Sequence, residues 1–286
     1  MNTIWTEVAS KHQVRTVTLV QVVENSVIGK NTDEILCEDR VFVGDGIVAV
    51  IDGATDKTGW KVLTSSGLVP SGRFAADVVA AALVGIEAGT EPAQAVSALS
   101  VALDEAISQS FGRVEPHERP AASIVVFDSV LRAVWRVGDC PFRLAGALYN
   151  QPKRIDEVTA NFRVAFLAAS GMPSFEDDPG RDAILPLLRL QGSLANRAGE
   201  FGYGVIDGQA VPEEFIEVVA VHEGTRELVL ASDGYPTLPA TLADAEDELA
   251  GLLAEDPHCV GALRGTKGLT AGLRSFDDRA WVRVLL

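Results

Sequence analysis

Acidic residues stand at the ends of apolar, strand-like runs at four places in this chain. Glu38-Asp39 precede Val41-Phe42-Val43, and Asp52-Gly53 close the run Val48-Ala49-Val50-Ile51. Asp233-Gly234 close Leu228 to Ala231, and Asp277-Asp278 precede the last apolar run. A carboxylate at a strand end has a rigid support yet reaches solvent. Several that converge supply hard oxygen ligands for Mg²⁺ or Mn²⁺. A glycine after the aspartate lets the backbone turn sharply and can turn its own carbonyl toward an ion. Two such ions side by side can hold one water between them, lower its pKa and clamp phosphoryl oxygens for in-line attack. Each piece alone is commonplace. Val205-Ile206-Asp207-Gly208 has the same form, and Asp207 is assigned to a turn.

The surrounding pattern supplies supports for these residues. Residues 14–23 alternate and are β-branched, which predicts a strand; 24–37 read as a loop. Val41 to Val43 and Ile47 to Ile51 flank Gly44-Asp45-Gly46, a hairpin signal. Residues 54–72, rich in Gly, Ser, Thr and Lys, read as a functional loop. Helical spacing covers 73–89 and 92–111, an expected antiparallel pair. Strands are expected at 122–128, 131–137, 142–145, 163–169, 215–221, 226–231 and 280–286. Helices are expected at 181–197 and 240–254. Strand pairs with tight connections point to antiparallel sheets with helices packed outside, in an α+β fold. No linker or internal repeat is evident, so a single domain over 1–286 is expected.

Bulk properties narrow the function classes. The 286 residues are 47% hydrophobic and 22% charged, enough for a substantial core. The formal net charge of −16 repels nucleic acid, so a nucleic-acid partner is not expected. Cys37, Cys140 and Cys259 form no Cys-x-x-Cys pair and suggest neither a zinc ribbon nor a disulfide scaffold. Apolar runs are too short to span a membrane, and residues 1–14 lack a signal core. A soluble, cytoplasmic protein without a membrane partner is expected.

The order of the acidic landmarks resembles the metal-dependent (type 2C) serine/threonine protein phosphatase family, nearly end to end. The residues that carry the resemblance are Glu38-Asp39-Arg40, Val50-Ile51-Asp52-Gly53, Val137-Gly138-Asp139-Cys140, Gly192-Ser193-Leu194, Ala231-Ser232-Asp233-Gly234 and Asp277-Asp278-Arg279. The resemblance implies a four-layer α-β-β-α sandwich, two antiparallel sheets flanked by pairs of helices. It implies two Mn²⁺ or Mg²⁺ ions and a weaker third. Asp52 would bridge the first two, helped by the Gly53 carbonyl. Asp233 would complete the first site, and Glu38 and Asp277 the second. Asp39 would act through bound water, and Asp139 would help hold the third ion. The implied reaction is hydrolysis of phosphoserine or phosphothreonine in proteins by an activated water, with Asp52 and Asp39 as catalytic residues and no covalent phospho-enzyme. His12, His117, His222 and His258 sit in no recognisable triad and read as surface or structural.

Two positions depart from the pattern. Many members carry a histidine after the Asp-Gly, a general acid for the leaving alkoxide; here it is Ala54. Loss of acid catalysis slows turnover by about 10²–10⁴-fold. Many also have an arginine four residues before the glutamate, gripping the phosphate; here it is Glu34. Lys57, Arg40 and Lys30 are the candidate replacements, and a lysine is a point charge rather than a bidentate fork. Lys61 and Arg73 read as ordinary surface or helix-start residues. The departures leave two other readings beside the protein phosphatase: a phosphatase-like regulatory or binding module, and a phosphatase for a phosphorylated small molecule. Neither a Gly-x-x-x-x-Gly-Lys loop nor a Gly-x-Gly-x-x-Gly fingerprint occurs, so nucleotide binding has no support.

Overall fold

The computed structural model describes residues 20–286 except 56, 58, 65 and 66. Its strands, in chain order, are β1 (Gln21–Ile28), β2 (Arg40–Val43), β3 (Ile47–Gly53), β4 (Lys61–Thr64) and β5 (Gly67–Pro70). Helices α1 (Ser71–Leu83) and α2 (Pro92–Phe111) follow, then β6 (Ala122–Asp128), β7 (Ala133–Val137), β8 (Phe142–Leu144) and β9 (Ala147–Tyr149). Next come α3 (Arg154–Ser170), α4 (Pro179–Leu190), β10 (Glu217–Ala220), β11 (Glu227–Ala231), α5 (Leu242–Glu255) and β12 (Arg279–Leu285).

The fold is α+β. One antiparallel sheet has the order β1-β12-β11-β8-β9 and a second the order β10-β7-β6-β3-β2; β4 and β5 form a separate hairpin. β3 shows how the sequence builds the layers. Ile47, Ala49 and Ile51 pack against α1 and α2, while Val48 and Val50 face the other sheet. Buried on both sides, the strand reads as a continuous apolar run rather than an alternation. Between the sheets, Val48, Val50, Val125 and Phe127 meet Phe142, Leu228, Leu230 and Val282. Behind β11 and β12, Val229, Ala231 and Trp281 pack with Ala245 of α5. Among the described residues no helix is long and apolar enough to cross a membrane.

The hairpin at 41–51 is present, with Val41 opposite Val50. Other expectations need correction. β1 continues to Ile28, through residues expected to be a loop, because its polar positions find partners on β12. Glu24 accepts from the Trp281 indole at 3.0 Å and pairs with Arg283 at 3.1 Å. Residues 14–19 of that expected strand lie outside the described residues. The expected loop 54–72 contains the β4–β5 hairpin. The strand expected at 163–169 is the end of α3, which buries Ile155, Thr159, Ala160, Arg163 and Leu167 at helical spacing. Its exposed Phe162 and Phe166 made the segment read as an apolar run. α1 ends at Leu83 rather than 89, and α4 gives way to a 3₁₀ turn at Gln191–Leu194.

Candidate metal centre

Three glycines let separate segments press together at one end of the sheets. A Cβ on Gly53 would lie 2.3 Å from the Gly72 carbonyl oxygen and 2.7 Å from that of Glu38. A Cβ on Gly72 would meet Ala54 O at 2.5 Å and Glu38 Oε1 at 2.6 Å. On Gly234 it would lie 2.0 Å from Asp278 O. The end of β3, the loop before β2, the start of α1, the end of β11 and the start of β12 therefore meet backbone to backbone. The register places Asp52 opposite Ser123 on β6 and Ala231 opposite Trp281 on β12.

A cleft of about 490 Å³ opens at this junction. Of the sequence-predicted residues, Asp52, Asp139, Asp233, Asp277 and Lys57 line it. Glu38 and Asp39 are buried beside it. Asp52 and Asp233 both line the cleft, close enough that each acts on the other's carboxyl. Removal from water, then the charge of Asp233 and of Asp39, pushes the Asp52 carboxyl up. Asp233 opens on the cleft but is hemmed in by protein; that crowding, with the charges of Asp139 and Asp277, raises it to about 7. Burial, with the charges of Asp278, Asp277 and Asp233, pushes the Asp39 carboxyl up; the neighbouring Ser232 hydroxyl, which accepts from the Ala280 N–H at 2.8 Å, works against that. Asp39 Oδ2 and Glu38 Oε1 are buried without a hydrogen-bond partner among the described residues.

Other carboxylates of the cluster have ammonium partners. Asp139 accepts from the Ser123 hydroxyl at 2.6 Å and pairs with Lys153 at 2.8 Å. Burial favours the neutral acid, yet Lys153 outweighs it and holds Asp139 below the usual range. Asp277 is likewise held low against burial by Lys267, at 2.7 Å, and Lys30, at 3.1 Å. Lys30 also reaches Glu38 and Asp278.

The candidate phosphate cations separate. Lys57 lines the cleft, and burial together with Lys267 and Arg181 lowers it to about 8. Arg40 does not line it; its guanidinium bonds Asp77 at 2.5 Å and the carbonyls of Cys37 and Asp39, tying the loop to α1. Lys30 is spent on carboxylates rather than on the cleft. Sequence reasoning missed Lys153, Arg181 and Lys267, which line the cleft, and took the cleft-lining His117 for a surface or structural residue. Lys267 sits in Gly265-Thr266-Lys267-Gly268, ten positions before Asp277, and that glycine-flanked lysine was a readable signal. The three cysteine thiols are buried, and burial pushes each up, Cys37 to about 12 and Cys259 to about 11. None is a thiolate nucleophile at neutral pH.

Among the described residues no three His, Cys, Asp or Glu side chains converge as a ready-made metal-binding group. The fit is to a hydrated ion on a two-carboxylate cradle. Mg²⁺ commonly binds through one or two carboxylates, keeping several waters and taking substrate phosphate oxygens. Asp52 and Asp233, crowded together and facing the cleft beside the unpartnered Asp39 oxygen, suit that mode.

No protein-family model and no curated protein matches the chain. Solved structures do. The Mycobacterium tuberculosis serine/threonine phosphatase PstP/Ppp aligns over 93% of this chain and 98% of its own, at 17% identity and a TM-score of 0.45. The PstP catalytic domain in complex with two manganese ions aligns at 16% and 0.47, with the same coverage. The Staphylococcus aureus serine/threonine phosphatase Stp1 aligns over 94% of each chain, at 13% and 0.48. Each of these neighbours is a serine/threonine phosphatase. At such identities no residue role passes from one chain to another, and what this chain does rests on its own site.

Proposed function

We propose that the chain is a metal-dependent phosphomonoester hydrolase acting on phosphoserine or phosphothreonine in proteins. The observation that carries this reading is the pairing of Asp52 with Asp233 in a cleft that Lys57, Arg181 and Lys267 also line. Two carboxyls crowded together are costly unless a proton or a cation stands between them. A divalent ion there would supply Lewis acidity and a strong nucleophile at neutral pH. Asp52 and Asp233 would hold it, with the Gly53 carbonyl in support. Asp39, with its free oxygen, would accept a hydrogen bond from a water at the ion. Lys57 and Arg181 would draw the phosphate dianion in and hold it opposite the carboxylates, while Lys267 stays on Asp277. With every thiol buried and protonated, no cysteine competes with water as the nucleophile.

Ala54 also lines the cleft and offers no proton to a departing alkoxide. That favours a second reading, a site that holds a phosphorylated segment and turns it over slowly. Its volume also suits a small phosphorylated molecule. The test is hydrolysis of an aryl phosphate, whose leaving group needs little acid help, with Mn²⁺, with Mg²⁺ and with chelator. Activity that needs metal and is lost in Asp52→Asn is the expected result. An inert wild type that still binds a phosphopeptide establishes the second reading instead. Phosphopeptide and metabolite panels then separate the substrate classes.

A further inference from the structure

A cation is already built into one half of the carboxylate cluster. Lys30 Nζ stands 3.2 Å from Glu38 Oε2, 3.1 Å from Asp277 Oδ1 and 3.0 Å from Asp278 Oδ2. An ammonium has three N–H donors and no acceptor. Three carboxylates supply its close acceptors, with the Thr55 hydroxyl farther off at 3.4 Å. The cage is also fixed from the backbone side. The Lys30 N–H donates to Asp278 Oδ1 at 2.7 Å, and the Glu38 N–H donates to Asp278 Oδ2 at 3.1 Å. The side chains of Glu38 and Asp278 are only 4% and 1% exposed, and that of Lys30 15%. Spacings of 3.0–3.2 Å suit nitrogen; a magnesium ion needs its oxygens at about 2.0–2.1 Å. Lys267 adds a second ammonium on the other oxygen of Asp277, at 2.7 Å.

We propose that Lys30 is a tethered counter-ion filling the position between Glu38, Asp277 and Asp278, so that the chain takes up one divalent ion, at Asp52 and Asp233, and not two. This rests on the metal-dependent reading above and departs from the resemblance, which gave Glu38 and Asp277 to a second ion. The ammonium does statically what a second ion would do by binding: it neutralises buried carboxylates and holds the loop before β2 against the start of β12. It cannot be chelated away. It also brings no coordination shell, so any nucleophile must be generated at the Asp52–Asp233 ion alone. Without Lys30, both oxygens of the buried Glu38 carboxylate would lack a partner, beside Asp277 Oδ1 and Asp278 Oδ2, each then held only by a backbone N–H.

The test counts manganese on the full chain. Calorimetric titration with Mn²⁺ gives the stoichiometry, and electron paramagnetic resonance of bound Mn²⁺ separates an isolated ion from a spin-coupled pair. The wild type is expected to bind one ion with an uncoupled spectrum. Lys30→Met, of similar length and no charge, is expected to bind two, and Lys30→Arg, which keeps the charge, to bind one, its second site at least tenfold weaker than that of Lys30→Met. Two ions or a coupled pair in the wild type overturns the proposal, and so does a folded Lys30→Met that still binds one. A wild type that binds none overturns it as well. If Lys30→Met does not fold, the wild-type count and spectrum decide alone. One ion in the wild type and two in the variant, without hydrolysis in either, would leave the lysine assignment standing and remove the hydrolase reading.

Discussion

Replacing Gly53 by alanine adds one methyl group at the point where the candidate site is held together. The added carbon would stand 2.3 Å from the Gly72 carbonyl oxygen, 2.5 Å from its carbon and 2.7 Å from the Glu38 oxygen. All three are backbone atoms, so no rotamer change relieves the contact. Reaching ordinary contact at about 3.4 Å requires the start of α1 or the loop at Glu38 to retreat by about 1 Å. Overpacking of this kind costs about 1–3 kcal/mol, and the backbone character of the neighbours places this case at the upper end. In a chain of this size 3 kcal/mol lowers Tm by about 6–12 °C. The site should suffer more, since a misplacement of about 1 Å can cost about 10²-fold in rate. The assay pairs thermal unfolding with aryl phosphate turnover and uses Gly251→Ala as control. Gly251 lies exposed in α5 with nothing near its Cβ position; alanine there should raise stability by about 0.5–1 kcal/mol. A Gly53→Ala variant with unchanged Tm and turnover would refute the argument that backbone contact at this glycine positions Asp52.

Three further outcomes are expected. Lys153→Met leaves the buried Asp139 carboxylate without its cation and should cost about 3–5 kcal/mol, while the double variant with Asp139→Asn recovers most of that in chemical denaturation. Lys57, lowered to about 8, carries its charge below that pH and loses it above; phosphate affinity should therefore fall as pH rises through 8, and Lys57→Met should flatten the profile. Glu246 is held below the usual glutamate range despite burial, chiefly by hydrogen bonds from Arg279 and Tyr235. A carboxyl whose folded pKa is depressed stabilises above its unfolded pKa, about 4.3, and loses that contribution as pH falls through the folded value. Stability measured against pH should accordingly drop less on acidification in Glu246→Gln than in wild type.

The parts of the fold that were legible in the sequence are those governed by short-range rules. A buried β3 shows as an unbroken apolar run, and the Asp-Gly steps mark strand ends where the chain must turn. The glycines at 53 and 234 then proved to be required by neighbours distant in sequence, which spacing alone does not convey. β1 was cut short because Glu24, Asn25 and Ser26 look like loop residues until β12 is beside them. α3 was missed because its inward face includes Arg163, fully buried and bonded to Asp178 and to the carbonyls of His258, Cys259 and Gly265. A charged residue on a buried face breaks the periodicity that announces a helix. The acidic half of the candidate site was visible because its residues come in motifs. The basic half was not, since Lys153, Arg181 and Lys267 come from three unrelated segments and are united only by the cleft.

The clasp between Lys30 and Asp278 joins residues 248 positions apart. β1 pairs with β12 alone, and β12 begins directly after Asp278. A ribosome extends a chain by about 5–20 residues each second, and domains fold as their parts emerge. Throughout that interval β1 has no strand to pair with, and the carboxylate that fixes Lys30 and Glu38 does not yet exist. No shortened product ending before residue 278 can assemble the centre, however well its β3 hairpin and helices form. Whatever the centre does therefore waits on Asp278 and β12.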